Sequence, residues 1–266
     1  MRAKAFRLTC LCMISIFGLA QPQPAATPSE ANPFESASGK TILVISPHPD
    51  DDIIGCGGAL AFLSRRNNRV IAVFLTSGER GTLDASAKSE TIGAIRKREA
   101  AAAYKALGYE AELIWFGYPD GELDFAPIRE IRIQLIRIIR SRRPEIVFAL
   151  DPGTTYYRYH YRDHRTAALV SADAVGAAMW PLEYADTGSA YKVPDVYYFY
   201  TAEPNLKLDI TRVYDRKLAA LAQHRSQFPP AVDHYEPAGR APSRGDLEAL
   251  IEPLTGGLRS ETFRHR

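Results

Sequence analysis

Thr41-Ile42-Leu43-Val44-Ile45 runs directly into Ser46-Pro47-His48-Pro49-Asp50-Asp51, and Asp52-Ile53-Ile54-Gly55-Cys56-Gly57-Gly58 follows. A short unbroken run of aliphatic and β-branched residues bounded by Pro marks a strand buried on both faces, as in a parallel sheet. An imidazole and three carboxylates at the end of such a strand carry charge that needs a cation, a hydrogen-bond network or solvent beside it. A divalent metal supplies that compensation. Zinc accepts imidazole nitrogen and carboxylate oxygen alike, so His48 and Asp51, three apart in a loop stiffened by Pro47 and Pro49, are candidate ligands. Asp50 is then free to act as a base. A second reading of the same residues is an Asp-rich turn capping a helix that begins near Ile53, because Asp is a favoured N-cap residue.

Beyond this stretch, β-rich apolar runs alternate with helical patterns. Residues 41–46, 70–76, 112–117, 145–150 and 193–201 read as strands, and 55–66, 90–107, 127–142 and 164–179 as helices. This alternation predicts right-handed βαβ units. The fold class is therefore α/β, a Rossmann-like three-layer α/β/α arrangement around a mostly parallel sheet. In the helix from Pro127, Ile128, Ile131, Leu135, Ile138 and Ile139 recur at helical spacing. Arg129, Arg132, Arg137 and Arg140 fall largely elsewhere and read as a solvated face. A further helix is expected from Asp209, with Thr211 as its cap. From about residue 229 the chain is rich in Pro, Gly and Arg and reads as an irregular tail.

The first twenty residues have a different character. Arg2, Lys4 and Arg7 precede the apolar stretch Leu8–Ala20, and Gln21-Pro22-Gln23-Pro24 follows. That is the layout of a secretory signal peptide, with cleavage expected after Ala20 or, failing that, Ala26. The apolar stretch is shorter than the roughly 20 residues a membrane span needs. Residues 21–39 read as a disordered linker, and residues 40–266 as a single domain. The expected location is secreted or periplasmic, with no stable membrane span after processing. Cys56 is the only cysteine beyond residue 20, so no disulfide can form within the processed chain. A core must hold the domain together. The formal net charge of +2 is spread over interspersed charges of both signs, with no basic run interleaved with aromatics, so nucleic acid is not indicated.

In open α/β sheets, ligands bind beyond the carboxyl ends of strands. The polar residues of this chain collect there: His48–Asp51 after the first strand, Ser77-Gly78-Glu79-Arg80-Gly81 after the second, Tyr118-Pro119-Asp120-Gly121 after the third, and Asp151-Pro152-Gly153 after the fourth. A run from Tyr156 to His164 then leads into a helix. A catalytic zinc takes three protein ligands and keeps one position open. His164, at the mouth of that helix, is the best third ligand, and Asp163 is placed to orient an imidazole from behind.

Taken together, these pieces resemble the PIG-L/LmbE-like de-N-acetylases. The resemblance rests on Pro47-His48-Pro49-Asp50-Asp51-Asp52 with Gly55 and Gly57-Gly58, Thr76–Gly81, Arg96-Lys97-Arg98-Glu99, Gly117–Gly121, Asp163-His164-Arg165, and Asp209-Ile210-Thr211 with Lys217 and His224-Arg225-Ser226-Gln227. It implies a zinc-dependent hydrolase that removes acetyl from an N-acetylglucosamine-containing glycan, glycolipid or glycoconjugate. By position it implies zinc on His48, Asp51 and His164, Asp50 as general base, Arg96 in contact with substrate, and Asp120 as a substrate-side acid. Many members carry His-Pro-Asp-His where this chain reads Tyr161-Arg162-Asp163-His164. The residue that stabilises the oxyanion is then expected to be Tyr161 or Arg162. Two other readings share the fold: a zinc amidase acting on another amide of an amino-sugar conjugate, and a non-catalytic carbohydrate-binding member.

Overall fold

The computed structural model describes residues 32–266 apart from 83, 155–161, 229–241 and 256. β1 (Thr41–Ser46) is buried along all but its first residue, because it lies between two parallel neighbours. On one side is β2 (Arg69–Phe74), followed outward by β3 (Glu112–Trp115); on the other is β4 (Ile146–Leu150), followed by β5 (Asp195–Phe199). Among the described residues the sheet has seven strands in the order β3-β2-β1-β4-β5-β7-β6, where β6 is Leu206–Asp209 and β7 is Ser260–His265. β7 runs antiparallel to both its neighbours.

The alternation of β1 side chains divides the core into two layers. Ile42 and Val44 point into a cluster with α1 (Asp51–Leu63), α2 (Ser89–Leu107) and α5 (Tyr214–Leu221). Leu43 and Ile45 point the other way, against α3 (Ile128–Arg142) and α4 (Arg162–Ala178). This is the expected three-layer α/β/α architecture. After β1 the chain builds outward through β2 and β3 and then returns to add β4 on the other side of β1. That reversal is a topological switch point, where a crevice opens beyond the strand ends.

α1 is where helix and sheet approach most closely. A Cβ on Gly55 would stand 2.2 Å from the Phe199 ring, and one on Gly58 would stand 2.5 Å from Ile210 Cγ2. Only glycine permits this contact. The helix is also broken at Cys56, whose φ of −138° and ψ of 16° are not helical.

Several sequence expectations are corrected. α1 starts at Asp51 rather than Gly55, and α4 at Arg162 rather than His164. The chain after Asp209 turns before it coils: Asp209 ends β6, its Oδ1 accepts the Thr211 N–H at 2.8 Å, and α5 begins only at Tyr214. The tail beyond 229 is not irregular throughout, since α6 (Arg244–Thr255) and β7 are regular. β7 escapes a hydropathy reading because its Ser-Glu-Thr-Phe-Arg-His sequence is mostly polar; strand pairing on both sides and the buried Phe263 hold it in place. Finally, Arg140 is not solvated. It is 4% exposed, and its guanidinium donates to the carbonyls of Ala177, Ala178, Trp180, Glu183, Tyr184 and Gly188. The bend after α4 is thus organised around one buried cation.

Candidate metal centre and active site

Asp50 ends the β1 loop with φ 143° and ψ −37°, a backbone conformation that costs a non-glycine residue on the order of 1–3 kcal/mol. Three contacts hold it there. Its N–H donates to Asp52 Oδ1 at 3.2 Å, its carbonyl accepts from Ile54 N–H at 2.9 Å, and its Oδ2 accepts from Arg96 Nη2 at 3.0 Å. The Asp50 side chain makes no capping bond at the start of α1, so its carboxylate is not spent on a capping turn; Asp52, which accepts the Asp50 N–H, is the carboxylate that serves that turn.

Asp51, in the first turn of α1, faces two imidazoles. Its Oδ2 lies 3.1 Å from His48 Nδ1, and its Oδ1 lies 2.9 Å from His164 Nε2 at the start of α4. The ligand atoms of His48, Asp51 and His164 all lie within 4.8 Å of one another. Two atoms bound to a tetrahedral zinc at about 2.0–2.2 Å are roughly 3.3 Å apart; the Asp51 oxygens stand 3.1 and 2.9 Å from the two imidazole nitrogens, near that spacing. Two imidazole nitrogens and a carboxylate oxygen are also the donors zinc prefers. The residues fit the metal. Burial disfavours the charge on Asp51, but His164 and then His48 outweigh it and hold the carboxyl far below the ordinary carboxylate range.

The far side of His48 is equally defined. Its Nε2 lies 3.1 Å from Asp120 Oδ1 and 3.3 Å from Asp163 Oδ2. Carboxylates only accept, so as the residues stand both ring nitrogens carry hydrogen; a metal would displace the one on Nδ1, which is turned to Asp51, while Nε2 keeps its own toward Asp120 and Asp163. Burial lowers the pKa of His48, yet its bonds to Asp120, Asp163 and Asp51 raise it well above the ordinary value. Asp163 therefore orients the imidazole of His48. It is fixed in turn by the Gly121 and Leu123 N–H groups at 2.7 and 3.1 Å. Asp120 accepts the Arg80 N–H at 2.9 Å, and its carboxyl is down to about 2, because the bond and charge of His48 outweigh the effect of burial.

Asp50 belongs to neither set of ligand atoms. Burial pushes its carboxyl up to about 7 against the pull of the Arg96 guanidinium, with Asp51 adding to the rise. Arg96 itself is placed differently from the expectation that it contacts substrate. It is 3% exposed, and it donates to Gly78 O at 2.8 Å and Pro49 O at 3.0 Å as well as to Asp50. It holds Asp50 and its loop from behind. Arg162 likewise anchors the β3 turn, donating to Gly121 O at 2.7 Å. Tyr161, His160 and the tyrosines at 156, 157 and 159 lie outside the described residues.

Tyr200 was missed in the sequence, although it follows β5 as the other site segments follow their strands. Its hydroxyl lies 3.3 Å from Asp51 Oδ1. Tyr104 donates to Asp52 Oδ2 at 2.7 Å, giving the third aspartate a structural duty. Asp151 turns away from the centre and pairs with Arg264 of β7. Ser226 and His224 form no nucleophilic pair, since Ser226 Oγ donates to Glu99 Oε2 at 2.6 Å. Cys56 is a buried thiol with its pKa pushed up by burial, and it donates to Asp52 O.

A model of the family described as PIG-L, GlcNAc-PI de-N-acetylase, matches residues 43–175, the span from β1 through most of α4 that carries His48–Asp52, Arg96, Asp120 and His164. The diacetylchitobiose deacetylase of Thermococcus kodakarensis is 33% identical over 203 residues, covering 74% of this chain and 74% of its own. The chain belongs to the PIG-L family. Among solved structures, the N,N'-diacetylchitobiose deacetylase of Pyrococcus horikoshii complexed with its inhibitor superposes with a TM-score of 0.74 at 32% identity, over 88% of this chain and 86% of that one. GalB, the 4-carboxy-2-hydroxymuconate hydratase of Pseudomonas putida KT2440, superposes with a TM-score of 0.60 at 26% identity, over 71% and 80%. Structures similar to this chain therefore carry names of more than one reaction.

Proposed function

We propose that this PIG-L protein is a zinc-dependent de-N-acetylase acting on an N-acetylglucosamine-containing saccharide. The observation that carries the reading is the donor set of His48, Asp51 and His164 beside Asp50, a carboxylate outside the ligand sets and aimed by a buried arginine. Zinc held by that set would polarise the amide carbonyl and acidify a water. Asp50 accepts the proton of the attacking water through a carboxylate oxygen. Arg96 keeps that carboxylate oriented without entering the pocket. Asp120 and Asp163 hold the His48 ring in the tautomer that presents Nδ1. The protonated Asp50 then delivers its proton to the departing amine, so that acetate and a free amino sugar leave. Diacetylchitobiose is the first substrate to test, because two relatives at 32–33% identity are named for it.

Acetate release from N,N'-diacetylchitobiose and N-acetylglucosamine tests the reading. The zinc-loaded protein is expected to release stoichiometric acetate, to lose this activity on chelation, and to regain it with added zinc. A protein that hydrates an unsaturated acid but frees no acetate from any acetamido sugar overturns it, and the hydratase GalB makes that a necessary control.

We also propose that residues 1–20 direct export and are removed. Among the described residues no helix is long and apolar enough to cross a membrane. Edman sequencing of the protein recovered outside the cytoplasm is expected to begin at Gln21. An intact 266-residue chain confined to the cytoplasm would refute the assignment.

A further inference from the structure

The break in α1 lies one helical turn beyond the metal-ligating Asp51, and a buried ion pair fills it. At Cys56 the helix stops and restarts. A restart leaves N–H groups without helical partners on one side and carbonyls without partners on the other. Glu261 of β7 meets the first: its Oε1 accepts the Gly58 N–H at 2.6 Å, and its Oε2 accepts the Ala59 N–H at 2.9 Å. Lys217 of α5 meets the second, donating from Nζ to Ile54 O at 2.7 Å. The two charges are themselves 2.7 Å apart, and both side chains are wholly buried. Each charge also suits the dipole of the half-helix it caps, the carboxylate at an N-terminus and the ammonium at a C-terminus.

Ile54 connects this pair to the site. Its carbonyl accepts from Lys217, while its N–H donates to the carbonyl of Asp50. The short first segment of α1 thus hangs between the strained Asp50 at one end and Lys217 at the other, with Asp51 between them. The glycines are part of the same device, because a Cβ on Gly58 would stand 2.9 Å from Glu261 Oε1 and one on Gly57 would stand 3.3 Å from Lys217 Cγ. Neither Lys217 nor Glu261 falls within the residues matched by the family model.

We propose that Lys217 and Glu261 are positioning residues for the metal centre: by fastening the two ends of the broken helix they set where Asp51 stands relative to His48 and His164. The inference rests on the proposed zinc site, and its test reads metal affinity directly rather than turnover. Lys217→Met leaves a buried carboxylate without its cation, and Glu261→Gln leaves a buried ammonium without its anion. Glu261→Asp keeps the charge but shortens the reach, so it cannot serve Gly58, Ala59 and Lys217 together. Arg140→Met removes a buried cation that stabilises the bend after α4 and touches no part of the site, so it reports destabilisation alone.

Zinc dissociation constants are measured by competition with a chromophoric chelator, at a temperature where circular dichroism shows every variant folded. Lys217→Met, Glu261→Gln and Glu261→Asp are each expected to weaken zinc at least tenfold, and Arg140→Met less than twofold at a comparable drop in Tm. The double variant Lys217→Met/Glu261→Gln, which buries no net charge, is expected to regain Tm but not zinc affinity. The proposal is overturned if Glu261→Asp and the double variant bind zinc within twofold of the wild type, whether or not the single charge removals fold. Failure of the wild type to release acetate would instead strike the proposed activity and leave this comparison intact.

Discussion

Asp50→Asn keeps its zinc and lowers kcat by roughly 10²–10⁴-fold, the range a positioned general base supplies. The substitution is nearly isosteric. The backbone bonds that hold residue 50 at φ 143°, its N–H to Asp52 Oδ1 and its carbonyl from Ile54 N–H, do not involve its side chain and are retained. The Asn side-chain oxygen can still accept from Arg96 Nη2, which now stands 3.0 Å from Asp50 Oδ2. What disappears is the ability to take a proton. KM and zinc content, read by steady-state acetate release and by metal analysis of the same preparation, are expected to stay within a few-fold of the wild type. A variant retaining more than a tenth of wild-type kcat with full zinc would remove Asp50 from the role of base.

His164→Ala loses the metal itself. Outer-shell partners of zinc-binding sites already cost roughly 10–100-fold in affinity when removed, so deletion of a direct ligand is expected to exceed 100-fold. Two effects combine. One of three donor atoms is gone, and Asp51, now held strongly ionised first by the charge of His164 against the cost of burial, loses its closest partner at 2.9 Å. Metal analysis after dialysis against a weak chelator should find zinc in the wild type and almost none in the variant, with acetate release falling to background. Stoichiometric zinc in His164→Ala would mean that the donor set lies elsewhere, and the pairing of His48 with Asp120 and Asp163 would be the place to look.

Much of this was legible in the chain because parallel sheets write simple sequences. Ile42–Ile45 is buried on both faces and reads as one apolar run, and the polar residues that matter gather where such runs stop. His48, Asp51 and His164 could be brought together on that basis alone. What could not be read depends on partners remote in sequence. Nothing local distinguishes Arg140 from Arg137, although one is buried among six carbonyls and the other is paired with Asp186 at the surface. Arg96 is a substrate contact by family position, yet it is buried and its two terminal nitrogens donate to the loops after β1 and β2. Tyr200 falls inside the run 193–201 that reads as one strand, whereas β5 ends at Phe199. β6 alternates but is only four residues long, and β7 is mostly polar, so neither announces itself, and their ladders form with each other and β5.

The position of β7 has a consequence for how the molecule is made and handled. The last strand along the described residues lies inside the sheet, between β5 and β6, and it brings Glu261 into the break of α1. The order of assembly therefore cannot follow the order of the chain: β5 and β6 are joined only once β7 has been made, and a chain cut before Ser260 lacks the strand between them. β7 also runs toward the amino end of β5, with His265 opposite Tyr197 and the Arg266 backbone exchanging both hydrogen bonds with Val196. A tag fused after Arg266 consequently emerges on the side of the sheet away from His48 and Asp51, where it leaves the pocket mouth clear.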